Sequence, residues 1–313
     1  MPAPYALRPA IRAAIGAVPA LLMLASGASH AAPARAPQPR PVKTQGAVWT
    51  FTASTDAAAL VECLLGGDIM VRNASLVAPA DAAGTFIGGA AVVGFDGGVA
   101  LSTGTIEGAL GPNSEFGDTG TDHLAPGDAS LDLLVDPEST YDACVLEFEF
   151  FTAEAQEIAF DYVFASEEYS EFVGQGFDDV LAFFLNGTSA ADNIARVDDA
   201  CASVTGVPTS VDNVNCGNAT DLDVPAVNCG CYRNNEVDFT TFPPPPTPID
   251  SEMDGFTEVF TARGTSIAGW NALKIAISDA GDGILDSNVF IRCSSFVVPV
   301  KPSTWGSVKT RFR

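Results

Sequence analysis

Basic side chains are scarce in this 313-residue chain: 15 Lys and Arg stand against 39 Asp and Glu, a formal net charge of -24. Between Asn73 and Ala195 there is no Lys or Arg at all, in a stretch that carries twenty-two carboxylates. Proteins hold nucleic acid by neutralising its phosphates, so this face is closed to nucleic acid as a partner. The same deficit disfavours adsorption to anionic lipid. Histidine is nearly missing as well, with only His30 and His123, which leaves little scope for a His-based catalytic triad. Neither Gly-x-Ser-x-Gly nor His-Glu-x-x-His occurs. Beyond the N-terminus, no apolar stretch is long enough to span a bilayer.

At the N-terminus, Arg8 and Arg12 precede an apolar Ala- and Leu-rich segment, residues 13–28, broken by Pro19 and Gly27. Ser29-His30-Ala31 then puts small residues at the minus-three and minus-one positions of a cleavage site. This pattern predicts a signal peptide over residues 1–31 and export of the rest. Ala28 stands where a lipoprotein signal needs its Cys. A Pro-rich linker over residues 32–47 follows. The remaining chain, about 270 residues, is enough for one large all-β domain or two small ones. We place the domain at residues 48–299. Residues 300–313 form a basic tail that lacks the apolar helix of a membrane anchor.

There are seven cysteines: Cys63, Cys144, Cys201, Cys216, Cys229, Cys231 and Cys293. In an exported chain they are expected to form disulfides. Cys229 and Cys231 are too close to pair comfortably with each other, and the odd count leaves one thiol over or one intermolecular bond. Zinc is the rival use, but Cys229-Gly-Cys231 is not the usual knuckle spacing.

Along the chain the apolar pattern mostly has a period of two. One helix-like segment, residues 55–65, sets Ala59, Leu60, Cys63 and Leu64 on one side. Strands are expected over 48–53, 69–77, 144–151, 158–164, 180–185, 257–262, 272–278 and 288–298. In 144–151, Leu146, Phe148 and Phe150 take one face and Glu147 and Glu149 the other. Val180 to Leu185 is continuously apolar, the mark of a strand buried on both faces. Residues 201–247 form a long insertion of low periodicity, rich in Asn, Asp, Cys and Pro, which needs disulfides or bound ions to order it. These features predict an all-β fold: a β-sandwich of jelly-roll type, with one short helix near the N-terminus and a disulfide-bearing insertion.

Two acidic clusters carry the chemistry. Glu167 and Glu168, with Asp178 and Asp179, flank the run that leads into the buried strand; Asp279, Asp282 and Asp286 lie between the last two strands. Carboxylates in Gly-bearing loops at strand ends converge without long reach. Hard oxygens of this kind suit Ca²⁺, which takes six to eight of them in loose geometry. Packed together without Lys or Arg, they repel unless protonated or neutralised by a metal. Calcium is therefore the expected ion and these seven residues its expected ligands. The spacing is not that of an EF-hand, and Asp279 and Asp282 have the simpler alternative of Asx-type turns.

The same residues carry a resemblance. Phe160-Asp-Tyr-Val-Phe-Ala-Ser-Glu-Glu-Tyr169, Phe172-Val-Gly174 and Phe177-Asp-Asp-Val-Leu-Ala-Phe-Phe-Leu-Asn-Gly187 closely resemble the choice-of-anchor L domain of bacterial surface proteins. Gly94 to Gly104, Val211-Asp-Asn-Val-Asn215, Asp254-Gly-Phe-Thr257, Leu273 to Asp282 and Leu285 to Phe290 follow the pattern in order. The resemblance covers about residues 48–298 and departs in the Cys- and Pro-rich insertion. It implies an exported surface or secreted module and implies no activity. The expected role is thus a non-catalytic, calcium-stabilised module for adhesion or envelope and matrix interaction, outside the cytoplasm or at the cell surface, with an extracellular protein or glycan as partner. Two other readings are open. One is a carbohydrate-binding module using Trp270 or Tyr169. The other is a glycoside hydrolase pairing Glu167 or Glu168 with Asp178 or Asp179; extended backbone would point Glu167 and Glu168 to opposite faces.

Overall fold

A computed structural model describes residues 49–66, 69–113, 120–237 and 248–296. The expected signal peptide, linker and basic tail lie outside the described residues. The strands in chain order are β1 (Thr50–Ala53), β2 (Val71–Val77), β3 (Ala83–Ile87), β4 (Gly97–Ser102), β5 (Thr140–Thr152), β6 (Glu157–Ser166), β7 (Val180–Leu185), β8 (Arg196–Val197), β9 (Val207–Ser210), β10 (Tyr232–Asn234), β11 (Gly255–Thr257), β12 (Phe260–Thr265), β13 (Gly269–Ala280) and β14 (Ser287–Arg292). Three short helices accompany them: α1 (Ala57–Leu65), α2 (Ala90–Val93) and α3 (Ala129–Asp132).

The strands form two antiparallel sheets. The larger runs β1-β3-β4-β14-β6-β11-β10, with β12 also paired to β6; the smaller runs β2-β5-β13-β7-β9-β8. The all-β, two-sheet expectation is met. Alternation along the strands explains the stacking. From β6, Ile158, Phe160, Tyr162 and Phe164 enter the central core, where they meet Leu146, Phe148 and Phe150 of β5 and Leu181 and Phe183 of β7. Tyr162 and Phe183 touch across the sheets at 5.2 Å between ring centroids. The opposite faces are buried too. Val163 and Ala165 of β6 join Phe290, Phe86 and Trp49 outside the larger sheet. Val180, Ala182 and Phe184 of β7 meet Leu131 of α3 outside the smaller one. This is why β7 reads as continuously apolar: both of its faces are covered.

Helix α1 forms where expected. Asp56 caps it by accepting from the Ala58 and Ala59 N–H groups at 3.1 Å, and Gly66, at φ 77, ends it. Its buried stripe is Leu60, Val61, Leu64 and Leu65, so Ala59, expected on that side, faces solvent instead. Three further expectations shift. The strand expected over 257–262 is two strands, β11 and β12, broken at Glu258 and Val259. The last strand ends at Arg292 because Cys293 and Ser294 turn away to meet α1. The insertion contributes two strands of its own, β9 and β10.

Six cysteines pair as Cys63–Cys293, Cys201–Cys231 and Cys216–Cys229. Cys229 and Cys231 therefore reach different partners, and the zinc reading loses its thiolates. Cys144 is the odd thiol, buried in the core, where desolvation pushes its pKa up to about 12. Asn side chains complete the insertion. Asn228 Oδ1 accepts from the Ser203 and Val204 N–H groups, while its Nδ2 donates to the Val204 and Asn213 carbonyls.

Cys63–Cys293 ties α1 to the end of β14 across 230 residues of chain. Closing so long a loop restricts the unfolded chain strongly. The double substitution Cys63→Ala/Cys293→Ala should lower the unfolding free energy by about 2–5 kcal/mol in urea titrations, with the far-ultraviolet spectrum of the native state unchanged.

Candidate functional site

Antiparallel pairing brings several strand ends to one edge of the sandwich. In the smaller sheet, Ser278 near the end of β13 pairs with Val180 at the start of β7, and Asp279 with Tyr141 at the start of β5. In the larger sheet, Ser287 at the start of β14 pairs with Ser166 at the end of β6. Asp178-Asp179, Asp279, Asp282 to Asp286 and Glu167-Glu168 adjoin these ends. Five of the seven expected ligands are buried: Glu167, Glu168, Asp179, Asp279 and Asp286.

Asp179 is central. Its Oδ1 accepts from the Ala280 N–H at 2.9 Å, and its Oδ2 accepts from the Ser287 hydroxyl at 2.7 Å. Burial raises its pKa and the Asp178 charge adds to this, while these donors pull it down. Asp279 is held well above the carboxylate range by burial and then by Asp179, Asp286 and Asp142. Its Oδ1 is buried with no hydrogen-bond partner among the described residues. Glu168 is raised by burial, then by Asp179, Asp282 and Glu171. Asp286 Oδ1 accepts from the Thr121 N–H at 2.7 Å, and its carbonyl accepts from the Glu167 N–H at 3.1 Å. Gly104 lies under this carboxylate: a Cβ there would sit 1.9 Å from Asp286 Oδ2.

The other two residues expected as ligands are less buried. Asp178 is half-buried and accepts from the Asp212 N–H at 2.7 Å; burial and the Asp212 charge push it up to about 7. Asp282 is half-buried and accepts from the Ile284 N–H two residues on, so it does form the Asx turn that Asp279, inside β13, does not. Glu167 and Glu168 do not alternate across a strand. β6 stops at Ser166, the Glu168 N–H is taken by Ser166 Oγ at 2.9 Å, and both side chains turn inward.

Residues missed in the sequence complete this end. Asp142, at φ 48, accepts from the His123 and Ala125 N–H groups at 2.7 and 2.5 Å. Beside the layer, Glu171, Glu236 and Asp254 are buried with one oxygen of each within 4.8 Å of the others. Asp254 opens one of the quoted motifs, and Glu171 lies between two of them. Glu236 lies in the insertion, which has no period to point at it.

The ion pairs among the described residues involve Glu149, Glu157, Asp128 and Asp161, and Glu168, Asp178, Asp179, Asp279 and Asp282 take no part in them. The aromatic residues proposed for sugar stacking are not free platforms. Tyr169 is fully buried against Tyr232, 4.9 Å away. Trp270 is covered by the Arg72 guanidinium at 4.0 Å and flanked by Phe151.

Fold and site together define a two-sheet β domain, stapled by disulfides, with buried carboxylates along one edge. The family model of the Choice-of-anchor L domain matches residues 49–297, and the chain belongs to that family. No curated protein matches the chain, and no solved structure does. Family and disulfides mark an extracellular or surface-associated module. Among the described residues no helix is long and apolar enough to cross a membrane.

Two outcomes test this geometry. Gly104→Ala should cost about 1–3 kcal/mol of stability, because the Asp286 carboxylate has to move aside. In EDTA, the raised carboxyls keep protons in the native state that the unfolded chain has already released. Glu171, moved from 4.5 to about 8 by burial and the Glu236 charge, and Asp178, moved from 3.8 to about 7, set the window. Stability should be fully present below about pH 4 and fall as pH rises to about 8. The slope is at most about 1.4 kcal/mol per pH unit for each fully buried group, and smaller for the half-buried Asp178. Urea midpoints measured at pH 4.5, 6 and 7.5 would show a flat or rising profile if these carboxyls ionised freely.

Proposed function

We propose that this protein is exported by its N-terminal signal and serves as a non-catalytic surface module for adhesion or envelope and matrix contact. In this reading, calcium neutralises the carboxylate layer at one edge of the sandwich. The observation that carries it is the burial of Glu168, Asp179, Asp279 and Asp286 at one edge, where the Asp179 charge opposes ionisation of Glu168 and Asp279 and the Asp286 charge opposes that of Asp279. The buried Asp279 Oδ1 without a donor fits a hard cation better than it fits a hydrogen-bonded core. An extracellular compartment supplies calcium and also favours the disulfides.

Neutralising the layer would stiffen the loops after β6 and between β13 and β14, whose exposed residues include Gly174, Gln175, Gly281 and Ile284. Hydrolysis has less support. Glu167 and Asp179 are wholly buried, whereas a glycosidase pair has to flank a sugar. The surface depression lined by Ser54, Thr55, Pro79 and Asp81 offers a single carboxylate.

Calcium that binds the native state alone stabilises it by about 2.7 kcal/mol at one hundred times its Kd. For a domain of this size, the unfolding midpoint should rise by about 5–10 °C over the EDTA-treated protein at pH 7.5, and Asp279→Asn should remove most of the rise. An unchanged midpoint, with no calcium retained on the purified protein by elemental analysis, would sink this reading.

A further inference from the structure

We propose that Glu171, Glu236 and Asp254 form a second divalent-cation site, separate from the carboxylate layer, that clamps the insertion to the larger sheet. The backbone already assembles it. Asn234 at the end of β10 pairs with Gly255 at the start of β11, and Gly255 pairs with Ser166 at the end of β6. Glu236 lies two residues beyond β10, Asp254 one residue before β11, and Glu171 in the turn that follows β6. Three chain segments distant in sequence thus bring one carboxylate each to the same point, with one oxygen from each within 4.8 Å of the others.

A second observation points to a ligand. Glu171 is 6 % exposed, and both of its carboxylate oxygens are buried without a well-formed hydrogen bond among the described residues. Burial raises its pKa, and the nearby Glu171 and Ser170 N–H groups offset that rise only in part. A carboxylate removed from water without well-formed hydrogen bonds is costly whichever way it titrates. Nor is the neighbouring cation turned toward it: the Arg233 guanidinium lies over Phe256 at 5.3 Å and donates to the Val92 and Thr257 carbonyls. The other two carboxylates are preset. Asp254 Oδ1 accepts from Asn113 Nδ2 at 2.6 Å, and Glu236 Oε1 from the Val237 N–H at 3.1 Å. Asn113 Nδ2 also donates to the Asn235 carbonyl at 3.1 Å. That fixes the amide orientation and leaves its Oδ1 a buried oxygen without a donor.

An all-oxygen set from three carboxylates selects a hard cation, Ca²⁺ ahead of Zn²⁺, which prefers nitrogen and sulfur. Binding would join the turn after β6 to the end of the insertion. That turn is already held from the other side by Asn218 Nδ2, which donates to the Glu171 and Val173 carbonyls at 2.6 and 2.8 Å.

Terbium is a suitable probe, because it takes calcium sites and emits when a nearby tyrosine is excited. The burial of Tyr232 beside Asp254, Glu236 and Glu171 supplies that tyrosine. The mature protein, stripped with EDTA, is titrated with Tb³⁺ under excitation at the tyrosine band and then back-titrated with Ca²⁺; native mass spectrometry counts the ions. Glu171→Gln/Glu236→Gln should weaken sensitised binding at least tenfold and remove one ion, while Asp279→Asn leaves the sensitised emission intact and costs only the separate ion of the carboxylate layer. Tyr232→Phe, which keeps every ligand and leaves Tyr169 4.9 Å away as a weaker sensitiser, should dim the emission without changing the ion count. Should the double variant fail to secrete, the Tyr232→Phe comparison decides alone. Unchanged emission and ion count in the double variant, or full emission in Tyr232→Phe, would overturn the site. If Asp279→Asn loses an ion and the double variant does not, this inference falls and the calcium-bearing layer stands; the reverse pattern does the opposite.

Discussion

Asp179 joins the two sheets. It stands just before β7 in the smaller sheet, where one oxygen holds the Ala280 N–H of β13, while the other holds the Ser287 hydroxyl at the start of β14 in the larger sheet. Elsewhere the sheets meet mainly through apolar side chains, which attract without direction, with one further polar tie between the Tyr162 and Thr209 hydroxyls at 2.8 Å. A buried carboxylate with two directional donors resists sliding, and it fixes the register of the two sheets at this edge. The arrangement also imposes a constraint. Asp279, Glu168 and Asp286 share the same buried edge, so their charges act on one another at short range with little water between them.

A buried layer of this kind has two ways to reach low energy: its carboxyls hold protons, or they share a cation. The first favours acid and the second favours a calcium-bearing exterior, so the two compete for the same oxygens. Backbone N–H groups of Thr121, Ala125 and His123 donate to Asp286 and Asp142 and hold these carboxylates in place. Three disulfides and a helix cap hold the periphery in place, so the edge can carry charge without unfolding the body.

Much of the fold was legible because strand periodicity is a local property. Alternation in β5 and β6, and continuous apolarity in β7, follow from which faces are covered. Capping of α1 by Asp56 is local as well, although Ala59 was misplaced, because a short helix end leaves its outward rotation to packing. The insertion was illegible for the opposite reason. β9 and β10 are four and three residues long, and what orders them is Asn228, Asn218 and two disulfides, which show no period.

The site divides along the same line. From the sequence alone came the chemistry: a long stretch of acid without base, the seven carboxylates at strand ends, an odd cysteine, and the ordered motifs of the family. Those are statements about residue types and near neighbours. Tertiary structure alone decided which carboxylates meet. It brought Asp179 against Ser287, moved Asp178 toward Asp212, turned both Glu167 and Glu168 inward, and gathered Glu171, Glu236 and Asp254 from segments up to 83 residues apart. Convergence of that kind depends on the pairing of β6, β11 and β10. Strand pairing over such separations is set by the packing of the whole core, and no local pattern records it.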